Sequence, residues 1–180
     1  MKNRKWLPLI LIGWPYVCAG LLFVLLSNEN QFAVIMLLLL ILLTAVVYVL
    51  NIINACTYKK EGTCQLAFWN MLMKLVHIPF YLVVFIIGAM FFLSMVLPAL
   101  IFVSPIVVIM LAIIDLCLMI TTSLYGINAL IRARGNGIIT TKFMVVNIIM
   151  HLFFVFDVIS AVVIFAKIKR TDKKNEIGGN

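Results

Sequence analysis

Five residues in this chain combine a reactive side chain with an unusual setting: Lys74, His77, Asp115, His151 and Asp157 all fall within long apolar stretches. A charged side chain at mid-bilayer costs at least about 2.5–3.5 kcal/mol on insertion scales, so it ordinarily faces protein or water. Such groups mark proton relays and ion paths. Asp115 stands about 11 residues into one apolar run, and Asp157 about 14 into another of opposite direction. At ~1.5 Å per residue the two reach a similar depth, which permits but does not require a shared site. On one continuous helix His151 would lie about 120° from Asp157, flanking it without sharing its line.

Two amides accompany these groups at the same spacing. Asn70 precedes Lys74 by one helical turn, and Asn147 precedes His151 in the same way. Both belong to a candidate internal repeat. Ile53-Asn54-Ala55, a basic Gly-containing loop and Asn70 are echoed by Ile127-Asn128-Ala129, a second such loop and Asn147. The candidate intramembrane polar set is therefore Asp115, Asp157, His77, His151, Lys74, Asn70 and Asn147. Helical spacing also draws three polar stripes: Asp115, Met119, Thr122, Gly126, Ala129; Thr44, Tyr48, Asn51, Ala55; and Asn70, Lys74, His77, Tyr81. Small and polar residues at such spacing let helices approach and bond across their contact. The stripes read first as inward faces of a bundle and second as a polar path through it. His77, beside Trp69 and just before Pro79, reads first as an interfacial anchor and second as part of a broken helix.

The elements that must position these residues follow from composition. Of 180 residues, 66% are hydrophobic and 11% charged, against about 45–50% and about 25% in soluble domains. That excludes a soluble domain and a disordered chain. The pattern predicts an all-α, polytopic transmembrane helical bundle in a single domain over 1–166. Five spans are expected, at about 6–26, 32–55, 66–96, 104–131 and 143–166, with four to six possible. A polar basic tail follows at 167–180. The apolar start resembles a signal peptide but continues through Leu26 with Trp14, Pro15 and Tyr16 at the candidate cleavage site, so it reads as a retained span.

The net charge of +8 sits in short clusters between apolar runs, the pattern of loops facing anionic headgroups and not of nucleic-acid binding. Basic loops favour the cytoplasmic side, which predicts a cytoplasmic N-terminus. In a five-span layout, however, the basic tail falls outside. Cys56 and Cys64 then lie at a cytoplasmic loop and are expected as free thiols. No phosphate-binding glycine loop, HExxH zinc motif or GxS nucleophile turn is present, so no catalytic residue, metal or cofactor is expected.

The stretch Asn70-Met-x-x-Lys74-x-x-His77-Ile-Pro79-x-Tyr81 resembles a motif of small multi-pass membrane proteins of Gram-positive bacteria, a family of unassigned function. The resemblance implies a bacterial plasma membrane and no activity. The functional expectation is a non-enzymatic integral membrane protein acting through helix contacts, with the bilayer, anionic headgroups, a second copy or another membrane protein as partners. The competing expectation is a small proton- or cation-coupled transporter or channel using Asp115 and Asp157. An intramembrane enzyme ranks third.

Overall fold

An apolar run in lipid must satisfy its backbone amides and carbonyls internally, and a single segment can do so only as a helix. The computed structural model obeys that constraint; it describes residues 6–27, 32–58, 62–151 and 154–178. Six helices follow in order: α1 (Trp6–Ser27), α2 (Ala33–Thr57), α3 (Thr63–Ser94), α4 (Val103–Gly135), α5 (Thr141–Met150) and α6 (Phe154–Gly178). No strand occurs among the described residues. The first four helices are long and apolar enough to cross a membrane, which makes this a multi-pass membrane protein. Their 32 and 33 residues carry α3 and α4 well past a bilayer core of about 30 Å.

Helix directions can be read from side-chain contacts. Ser94 Oγ meets Ser104 Oγ at 2.7 Å, closing α3 and α4 into an antiparallel pair whose other end holds Thr63 and Gly135. Asn51 and Cys56 on α2 contact Tyr125 and Asn128 on α4 in the same order, so these two helices run parallel. Trp14 Nε1 donates to Thr44 Oγ1 at 3.0 Å and ties α1 to α2. Pro15 and Pro79 both lie inside helices. The break considered before Pro79 therefore does not form.

The stretch expected as a fifth span, 143–166, is divided. α5 has only 10 residues, about 15 Å, and ends at His151. Residues 152–153 lie outside the described residues, and α6 then runs back along α5. Three contacts establish the reversal: His151 with Asp157, Asn147 with Ser160, and Lys167 Nζ 3.7 Å from the centre of the Phe143 ring. In one continuous helix Asn147 and Ser160 would be about 20 Å apart; here Ser160 Oγ donates to Asn147 Oδ1 at 2.8 Å. α5 and α6 form a helical hairpin, and the chain leaves on the side from which α5 entered. Local chemistry supports that entry. Thr140 caps α5 by accepting from the Phe143 amide, and Gly137 takes the left-handed turn conformation at φ 71°.

The core gathers where α3, α4 and α6 meet, around Leu66, Met73, Leu118, Tyr125, Leu130, Ile164 and Ile168, all fully buried. Phe68 and Phe165 pack their rings 5.7 Å apart, extending the α3–α6 contact toward the end of the bundle that holds Gly135. α2 is peripheral and exposes Leu38, Leu42 and Val49, as a lipid-facing helix would.

Candidate functional site

The helical hairpin brings three ionisable side chains together inside the bundle. Lys74 comes from the buried face of α3, His151 from the end of α5, and Asp157 from the first turn of α6. Their residues are 0%, 2% and 2% exposed. The Lys74 ammonium pairs with one oxygen of Asp157, and Nδ1 of His151 meets the other. Lys74 Nζ also donates to Ser123 Oγ at 2.8 Å and to the Met119 carbonyl at 3.2 Å, both on α4. All three hydrogens of the ammonium thus find acceptors, and both carboxylate oxygens are engaged. Only such complete pairing lets charges stay inside a low-dielectric interior.

Two Asn-x-x-x turns converge here. Asn70 lies one turn before Lys74 on α3, Asn147 lies one turn before His151 at the end of α5, and Lys74 and His151 meet the same carboxylate. Asn147 fastens the hairpin: its Nδ2 donates to the Phe143 carbonyl at 2.8 Å, and its Oδ1 accepts from Ser160. Asn70 is fully buried and neither end of its amide has a hydrogen-bond partner among the described residues; Nε2 of His151 is in the same condition. Both atoms point at α4 where Gly126 interrupts the side-chain wall. A Cβ on Gly126 would lie 2.6 Å from Asn70 Nδ2 and 2.7 Å from His151 Nε2. Glycine is required there by space, not by backbone conformation.

The remaining candidates lie further along the bundle. His77 is fully buried, stacked on Tyr16 at 6.5 Å and tilted against Tyr81 at 6.1 Å between ring centres. It does not sit at an interface as an anchor would. Asp115 is half-buried on α4 and is not paired with Asp157; each of the two carboxylates lies near enough to Tyr81 to act on it electrostatically. The shared site open to the two acids is therefore not formed, because the two oxygens of Asp157 are taken by the Lys74 ammonium and the His151 ring. His151 and Asp157 do share a site, because the chain reverses between them.

Sequence patterns passed over several partners. Ser123 receives Lys74, yet it sits one position from Thr122 and off the stripe that was drawn. Tyr125, flanking the same stripe on its other side, anchors a second polar cluster by donating to Asn51 Oδ1 at 2.9 Å and accepting from Asn54 Nδ2 at 3.1 Å. No group of three His, Cys, Asp or Glu that could hold a metal occurs among the described residues, and the four cysteines are free thiols.

The model of a family of unknown function, DUF6652, matches residues 6–170, and the chain belongs to that family. No curated protein and no solved structure matches it.

Proposed function

We propose that this member of the DUF6652 family is a small proton- or cation-coupled transporter of the bacterial plasma membrane. One observation carries the reading: the ion network of Lys74, Asp157 and His151 is built on a hairpin too short to cross the membrane. Half-helices that stop inside a bundle, with ionisable groups at the stop, recur where transporters bind and release ions. Asp115 and Tyr81 extend polar groups from this network toward the end of the bundle that holds Ser94 and Ser104. Together they offer a route for charge through an otherwise apolar chain.

The hairpin also gives a consistent orientation. With four crossings and a re-entrant hairpin, the basic clusters before α1, between α2 and α3, between α4 and α5, and after Ala166 all fall on one side. Among the described Lys and Arg residues, only Lys74 is buried inside the bundle. Basic residues favour the cytoplasm, which supports a reading with both termini on that side, beside anionic headgroups.

The test is flux in proteoliposomes. Purified protein is expected to dissipate an imposed pH or cation gradient, read by a trapped fluorescent indicator, and Asp157→Asn and Asp115→Asn are expected to abolish it. A second reading, a non-enzymatic protein acting through helix contacts with a membrane partner or a second copy, draws support from the full compensation of the buried charges. An inert wild-type protein in the flux assay favours that reading and overturns transport.

A further inference from the structure

Resting on the transport reading, we infer that the coupling ion is a proton and that Nε2 of His151 is the atom that takes it. The donor set argues against a metal cation. Hard cations need six or more oxygen ligands, or an octahedral set, with carboxylates foremost. Here both oxygens of Asp157 already accept from cationic or N–H donors, and the Lys74 ammonium would repel a second positive ion from the same oxygens.

A proton has different requirements. Nδ1 of His151 faces a carboxylate oxygen, so this nitrogen carries the hydrogen, and Nε2 of the neutral ring presents its lone pair. That lone pair has no partner among the described residues although the residue is 2% exposed. It does not lie in an apolar void. Asn70 Nδ2 and His151 Nε2 sit 2.6 Å and 2.7 Å from one point above Gly126, so they are at most 5.3 Å apart. Asn70, unpartnered at both ends, supplies a donor and an acceptor beside the ring.

Uptake is then simple in its balance. A proton from the aqueous phase adds to the Nε2 lone pair, the ring becomes imidazolium, and the network gains one positive charge. The Asp157 carboxylate, already on Nδ1, is the counter-ion for both Lys74 and the new imidazolium. Sharing one carboxylate between two cations weakens its hold on each. Because His151 caps the C-terminus of α5, that change acts at the turn of the hairpin. The groups facing the network are Lys74, with His77 and Tyr81 further along α3; Ser123 and, further away, Asp115 on α4; Asn147 on α5; and Asp157 and Ser160 on α6. Release to the other side returns the neutral ring.

Nitrogen-15 NMR of histidine-labelled protein in vesicles of phosphatidylcholine and phosphatidylglycerol reads the two ring nitrogens separately. The His77→Gln variant leaves one histidine and assigns the signal. Across a pH series from about 9 to about 4, Nε2 of His151 is expected to gain a proton while Nδ1 stays protonated throughout. An Nε2 signal that never changes over that range overturns the inference. So does wild-type flux driven by a sodium or potassium gradient and unchanged in His151→Gln. Absence of any flux overturns the transport reading and with it the coupling role, while the ring titration still decides whether Nε2 takes a proton.

Discussion

Asp157→Asn isolates the charge at the centre of the network with little change in shape. The amide can still accept from Nδ1 of His151, and Lys74 keeps Ser123 Oγ and the Met119 carbonyl. What disappears is the counter-charge for an ammonium on a fully buried residue. Breaking a buried pair by removing one partner costs about 3–5 kcal/mol, because the other charge remains buried and uncompensated. At about 1.4 kcal/mol per decade, the folding equilibrium should fall between roughly a hundredfold and a few thousandfold. Adding Lys74→Met removes the stranded charge, and Ser123 can turn its hydroxyl to the Met119 carbonyl one turn away. The double variant K74M/D157N should therefore recover more than half of the loss. Unfolding titrations in mixed micelles, followed by far-ultraviolet circular dichroism, measure both. A cost below about 1 kcal/mol for Asp157→Asn, or a double variant as damaged as the sum of the singles, would falsify the claim that a compensated ion pair occupies the core.

Three further outcomes are expected. Gly126→Val should destabilise the bundle by about 1–3 kcal/mol through overpacking against Asn70 and His151, whereas Gly20→Ala, with open space around it, should be close to neutral; the same titrations compare them. Tyr125→Phe should cost about 0.6–2 kcal/mol for the lost contacts with Asn51 and Asn54, and a larger loss would mean the hydroxyl holds more than these two amides. Reporter fusions at residues 60, 138 and 180 should all report the cytoplasm, and one at residue 98 the opposite side; an external reporter at 180 would show that the final helices cross instead of turning back.

Much of the helical content was readable in the sequence because lipid leaves an apolar run few alternatives. The runs expected at 6–26, 32–55, 66–96 and 104–131 appear as α1 to α4 with small shifts at their ends. The stripe Asn70, Lys74, His77, Tyr81 is buried in full, since helical period alone decides which residues share a face. The hairpin was not legible. Residues 143–166 are as apolar as a crossing helix, and nothing in LFFVFD around 152–157 signals a reversal by glycine or proline. The reversal depends on partners distant in sequence: Lys74 for Asp157, and the α3 surface that receives α6. For the same reason the 120° offset between His151 and Asp157 does not apply, because it holds only if the helix continues.

The hairpin turn also explains why charges are found here at all. A reversal at the end of α5 frees backbone groups around residue 151, and such groups are tolerated at membrane depth only where protein or water surrounds them. The His151 amide bonds the Asn147 carbonyl, and its ring is clamped through Asp157 to α3. The ion network can therefore act as the clasp of a re-entrant turn, the carrier of an ion, or both. K74M/D157N separates these roles. It removes the fixed charges of Lys74 and Asp157, and with them the counter-ion for an imidazolium at His151, but keeps an acceptor for Nδ1, so the turn should stay closed and the protein folded. Flux that persists in this folded variant would reduce the network to a clasp. Flux that vanishes while circular dichroism and unfolding remain near wild type would mean the charges are kept for what they carry.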